Sequence, residues 1–301
     1  MAPGTIGADS ASPSPRELNR GTAQVVEESK TMTDSIIQDV DGMRSSIAVK
    51  EGWIRGVKKK LIPVKYVEID GFARCEGCIV LGTAAEMTIL DKVIRENPGL
   101  GEGQEFEAFG VGISGQFFRW EGGVVPYRIR NDLPSKDRVR DAIAHWTERT
   151  KLKFVERTAL NATEFPDFIS FVPDVGCAAQ VGRQGGEQFV WLGSGCSTGN
   201  CIHEIGHAVG LWHEQSREDR DSFVTVHFEN IVDGMAHNFD QHIVDGDDLN
   251  DYDYGSIMHY PRNAFSKNGL ETISPRNNED IGQRVRLSDG DVAAVHAMYG
   301  L

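Results

Sequence analysis

The segment "HEIGHAVGLWHE", residues 203–214, constrains this chain more than any other. His203 and His207 stand four residues apart. On an α-helix that spacing puts both imidazoles on one face, where they can share a metal ion. Glu204 points to an adjacent face, from which it can reach a metal-bound water without being a ligand. Gly210 lets the backbone turn sharply after the helix, so that His213 can return from a loop as a third ligand. Three neutral nitrogens leave a position open for water and substrate, the arrangement of a catalytic zinc rather than a structural one. Zinc lowers the pKa of its bound water to about 7; Glu204 can take that proton and deliver it to a leaving amine. The plain alternative is a surface helix with two solvated histidines. His213 and the next motif weigh against it.

That motif is "SIMHY", residues 256–260. Taken alone, Met258 and Tyr260 read as ordinary core. Downstream of the histidines, Met258 can form an apolar floor beneath a metal site, and Tyr260 can bring a phenol to it. H-E-x-x-H-x-x-G-x-x-H with a later methionine turn is the metzincin pattern.

A chain of 301 residues has room for one large domain or two modest ones. Its 31 basic and 45 acidic side chains give a formal net charge of -14, so there is no general attraction for nucleic acid or anionic lipid. No apolar run approaches the roughly 20 residues that span a bilayer. The N-terminus lacks a charged-then-apolar leader pattern, which leaves a removed signal, another export route or retention inside the cell. Five cysteines is an odd count, so at least one thiol is free, bound to metal or paired with another molecule.

Residues 1 to about 45 are rich in Ser, Pro, Glu and Asp and read as mostly disordered. The run from Gly52 to Met87 suggests short strands, and the Gly-rich acidic stretch 97–116 reads as an exposed linker. Further on, "GGVVPYRI", "LKFVER", "DFISFV" and "QFVWL" read as strands. "SKDRVRDAIAHWTERTK" reads as an amphipathic helix capped by Ser135, with Val139, Ala142, Ile143 and Trp146 on one face. "TGNCIHEIGHAVG" reads as a helix that stops at Gly210, and "LSDGDVAAVHAMYGL" as a closing helix capped by Ser288, with Val292, Val295 and Tyr299 inward. Helices and strands mix without regular alternation, which favours an α+β fold.

"HEIGHAVGLWHEQSREDRD" resembles the extended zinc signature of the astacin family, "YGSIMHY" its methionine turn, "RWEGGVVPY" its mature N-terminal region and "GQRVRLSDGD" its C-terminal region. The resemblance covers about residues 111–301. It implies a zinc-dependent endopeptidase acting on proteins or peptides, with one Zn²⁺ per chain and two subdomains flanking a cleft. It also implies secretion, and a precursor in which residues 1–110 are a propeptide: 1–45 disordered, 46–95 inhibitory and 96–110 an activation linker. The propeptide is then an intramolecular inhibitor, removed by an activating protease or by self-cleavage. The mature N-terminus, near Val111, would contact Glu214. Tyr260 would be a further zinc ligand in the free enzyme and would stabilise the oxyanion once substrate displaces it. Cys177 and Cys196 match one family disulfide. The other is missing, since Lys151 stands where a cysteine would be and the chain ends in "YGL". Arg284 resembles the arginine of acid-preferring members, able to pair with a carboxylate just after the scissile bond.

Family precursors commonly block the zinc with an aspartate in F-x-G-D. In "CEGCIVLG" Gly77 keeps its place, Cys75 replaces the Phe and Cys78 the Asp. A thiolate suits zinc at least as well as a carboxylate, so Cys78 is expected as the plug in the latent form. A Cys75–Cys78 redox pair and a Cys75–Cys201 disulfide stay open beside it, and Cys201 also reads as a small buried apolar residue. Two other functions remain: a catalytically silent zinc-binding protein on the same fold, and a metallohydrolase acting on something other than peptide.

Overall fold

The computed structural model describes residues 36–39, 41–55, 61–97, 118–241 and 251–301. Strands β1 (Ile36–Gln38) and β2 (Arg44–Ser46) pair as a small hairpin. An antiparallel meander follows: β3 (Val49–Arg55), β4 (Leu61–Ile69), β5 (Phe72–Cys75) and β6 (Ile79–Thr83). Helix α1 (Ala84–Glu96) begins at a capping box between Thr83 and Glu86. Thereafter come β7 (Val124–Ile129), α2 (Asp137–Arg149), β8 (Lys153–Glu156), β9 (Phe168–Pro173), β10 (Cys177–Gln180) and β11 (Glu187–Leu192). They are followed by α3 (Thr198–Ala208), β12 (Val224–Val226), β13 (Ile273–Pro275) and α4 (Asp289–Tyr299).

Nine of these strands make one mixed sheet, ordered β3-β4-β5-β6-β10-β11-β9-β7-β8. The junction is β6 on β10: Ala179 and Gln180 pair in parallel with Ile79 and Val80. The N-terminal meander thereby occupies the hydrogen-bonding edge that β10 would otherwise expose. Helix α2 buries Val139, Ala142, Ile143 and Trp146 against α3, and the Trp146 indole donates to Ile202 O at 3.0 Å. Beyond Gly210 the chain runs through short 3₁₀ turns, the β12–β13 pair and α4, which accords with an α+β fold whose later part is more irregular.

Several expectations are corrected. Residues 36–39 and 41–45, expected to be disordered, carry β1 and the start of β2. What orders this polar stretch is partners elsewhere in the chain: buried Ser45 meets His237 Nε2 at 3.1 Å and Asn238 Oδ1 at 3.2 Å. Ser135 does not cap α2. It sits at φ 50°, and Lys136 occupies the cap position without a side-chain bond. Strand β10, only "CAAQ", carries no alternation of its own and forms because β6 and β11 flank it. Cys177 and Cys196 form a disulfide, whereas Cys75, Cys78 and Cys201 are buried free thiols, so neither alternative cysteine pairing forms. Residues 1–35, the linker from 98 onward and Val111 lie outside the described residues. No described helix is long and apolar enough to cross a membrane.

Candidate metal centre

Helix α3 is buried on every side from Gly199 to Ala208, so its position is set by polar as well as apolar contacts. Ser197 and Asn200 close a capping box at its start. At its end Gly210, at φ 111°, reverses the chain, and Leu211 N returns to Gly206 O at 2.9 Å. The remaining end carbonyls are also met: the Trp120 indole donates to Ala208 O at 2.9 Å, and the Tyr299 hydroxyl to Val209 O at 2.9 Å. The methionine turn packs directly beneath. A Cβ on Gly206 would lie 2.6 Å from Met258 Sδ, so glycine at this helix position is what lets the floor approach.

Each ligand imidazole is oriented through Nδ1. His203 Nδ1 lies 2.8 Å from Ile257 O and His207 Nδ1 2.8 Å from Leu211 O. A carbonyl can only accept, so both Nδ1 atoms carry the proton and both Nε2 lone pairs face inward. Burial pushes the pKa of both rings well down, which keeps them neutral. His213 Nδ1 lies 2.5 Å from a carboxylate instead, Glu76 Oε2.

The three Nε2 atoms converge with Cys78 Sγ. Sulfur is 3.6 Å from His203, 3.4 Å from His207 and 3.3 Å from His213, while His203 and His213 are 3.3 Å apart. Zn–N bonds of about 2.0–2.1 Å and a Zn–S bond of about 2.3 Å at tetrahedral angles put N···N edges near roughly 3.3 Å and N···S edges near roughly 3.6 Å. The donor set therefore has both the composition and the size of a tetrahedral zinc site. Cys78 arrives from the tight β5–β6 turn, with Glu76 at φ 46° and Gly77 at φ 71°. That turn is pinned by Arg44 N to Gly77 O at 2.9 Å and Ala179 N to Cys78 O at 2.9 Å.

Glu204 is 1% exposed, and its Oε2 has no hydrogen-bond partner among the described residues. Burial pushes its carboxyl well above the usual carboxylate range. The Tyr260 hydroxyl donates to Glu76 O at 2.8 Å while its ring packs on His213. Glu214 is tied to Asp253 N at 2.8 Å, and burial raises its pKa to about 7. The Arg284 guanidinium is held by Ile257 O and His259 O, both at 2.9 Å, and lies 3.1 Å from Asp41. Ile257 O is the carbonyl that also orients His203, so Arg284 adjoins the metal centre.

Sequence reasoning missed Glu76 and Asp41. Glu76 had a signal, being the variable residue between Cys75 and Cys78; Asp41 had none beyond its Asp-Gly turn.

The peptidase family described as Astacin matches residues 113–300. Zinc metalloproteinase nas-13 of Caenorhabditis elegans is 39% identical over 212 residues, 67% of this chain and 46% of that protein. Zinc metalloproteinase nas-4 of the same organism is 33% identical over 283 residues, 92% of this chain and 82% of that protein. Among solved structures, High choriolytic enzyme 1, a hatching enzyme zinc-protease from Oryzias latipes, is similar with a TM-score of 0.55 and 36% identity. The match covers 60% of this chain and 92% of that one. The chain spans about half the length of nas-13. With the three histidines, helix α3 and the Met258 turn in these relative positions, the chain belongs to the astacin family of peptidases.

Proposed function

We propose that this chain is a zinc-dependent endopeptidase that hydrolyses peptide bonds in proteins and is made as a latent precursor. The observation that carries the reading is the convergence of His203, His207, His213 and Cys78 at zinc distances, with buried Glu204 following His203 on the same helix. Zinc held by the three histidines would supply a Lewis acid and make water nucleophilic near neutral pH. Glu204 would take the proton of the attacking water and return it to the departing amine. Tyr260, released from Glu76 O, would donate its phenolic hydrogen to the oxyanion.

Residues 1–110 are the propeptide in this reading, and residues 111–301 the peptidase domain. Latency has two supports. Cys78 stands in the fourth donor position, and β6 takes up the edge of β10. Burial, and next the charge of Glu204, push the Cys78 thiol up; a dication among the donors acts the opposite way and favours the thiolate. Cleavage near Val111, by another protease or by the chain itself, would free the cleft and bring a new N-terminus toward Glu214. The Asp41 carboxylate beside Arg284 supports a preference for an acidic residue just after the scissile bond. The Cys177–Cys196 disulfide supports secretion into an oxidising compartment.

The test is a casein digest after removal of the N-terminal segment, with and without a zinc chelator. Chelator-sensitive proteolysis is expected. One bound zinc without proteolysis would instead identify a silent binding protein.

A further inference from the structure

The three histidines are not oriented by the same kind of group. His203 and His207 rest on carbonyls of Ile257 and Leu211, which lie outside the N-terminal segment. His213 meets Glu76, which belongs to that segment and sits two residues before Cys78. Glu76 is 2% exposed, and the same Oε2 accepts from Ser216 Oγ at 2.8 Å. Its own carbonyl accepts from Tyr260, so backbone and side chain are both fixed at the turn. A carboxylate is a stronger acceptor than a carbonyl and raises the basicity of the imidazole it orients. Together with a Cys78 thiolate it also supplies two negative charges to balance a dication in a site closed to water.

We propose that Glu76 is a positioning residue of the metal centre, lent by the N-terminal segment to fix His213 for zinc, so that the unprocessed chain holds zinc more tightly than Cys78 alone would make it. The segment then acts as a metal-retention device as well as a plug. This rests on the zinc reading above.

The test is zinc affinity of the intact, unprocessed chain by chelator competition, for wild type, Glu76→Asp, Glu76→Gln and Ser216→Ala, each also in a Cys78→Ala background. Glu76→Gln is expected to bind zinc about 10–100-fold more weakly in both backgrounds, with Glu76→Asp between it and wild type. Cobalt substituted for zinc should show shifted ligand-field bands in Glu76→Gln, because the His213 ring is no longer held by a charge. Ser216→Ala removes the Ser216 bond to Glu76 without touching the His213 contact and should stay close to wild type. Affinity of Glu76→Gln within about twofold of wild type overturns the proposal, and so does an equal loss in Ser216→Ala, which would reduce Glu76 to a pin for the turn. Should Glu76→Gln not fold, Glu76→Asp against wild type decides the same question. A wild type that binds no zinc sinks the metal-centre reading and this inference with it, whereas intact wild-type binding with no effect at Glu76 sinks the inference alone.

Discussion

Arg284 Nη2 lies 3.1 Å from Asp41 Oδ2, so the arginine expected to read a substrate carboxylate already faces one from its own chain. The guanidinium is fixed by two backbone carbonyls, and its side chain is only 10% exposed, which leaves it little freedom to choose another partner. A carboxylate arriving with a substrate would find the same geometry once Asp41 had left.

For the processed enzyme, Arg284→Ala should cut kcat/KM for peptides with an acidic residue just after the scissile bond by about 10–100-fold, the range of a hydrogen bond between charged groups. Neutral peptides should lose far less. A peptide library cleaved by both forms checks this, and a uniform loss across the library would remove Arg284 from the pocket.

In the intact precursor, Cys78→Ala should release activity or speed self-processing without prior cleavage. Zinc-edge X-ray absorption on the unmodified precursor gives the direct reading. One sulfur beside three nitrogens is expected, and a shell of nitrogen and oxygen alone would rule the cysteine plug out.

Glu204→Gln should keep its zinc and lose proteolysis by about 10²–10⁴-fold, since the amide cannot accept the proton of the attacking water. Metal content and turnover measured on one sample decide it. Near wild-type turnover at full zinc occupancy would refute the mechanism.

Gly206→Ala should destabilise the protein by about 1–3 kcal/mol, although alanine is the better helix former. The added methyl group meets Met258 Sδ at 2.6 Å, and Met258 is itself 1% exposed. Thermal unfolding of the two proteins checks the sign. An unchanged or higher Tm would mean that the methionine turn yields easily.

Burial, and then Asp41, raise the pKa of Asp39 from 3.8 to about 7. Because the folded state holds this proton more tightly than the unfolded chain does, stability contributed here is full below about pH 4. It declines by about 1.4 kcal/mol per pH unit until about pH 7, and is constant above. Asp39→Asn imitates the protonated form and keeps an acceptor for the amides of Asp41 and Met43. The variant should therefore melt higher than wild type at pH 8, and the gap should shrink at pH 5. An equal gap at both values would exclude titration of Asp39 as the cause.

The histidine-bearing helix and its stop were legible in the sequence because they depend on contacts within a turn or two. A four-residue histidine spacing and Gly210 at positive φ are local requirements, and local requirements leave local motifs; the Ser197–Asn200 capping box is just as local but went unread. The candidate role of Cys78 was legible as a departure from a motif. Its distance to the three imidazoles was not, because His203 is 125 residues away along the chain and long-range pairing such as β6 on β10 brings the two together. Glu76 on His213 and Asp41 on Arg284 share that origin. Glu76 was marked only by its place between Cys75 and Cys78 and Asp41 only by its Asp-Gly turn, and neither signal says which side chain the carboxylate will meet. Strands β1 and β2 are ordered for the same reason: too polar to bury a core of their own, they rest on partners such as Asn238, nearly two hundred residues downstream. The sequence determined which side chains could do zinc chemistry; the tertiary structure alone decided which carboxylates and which thiol reach them.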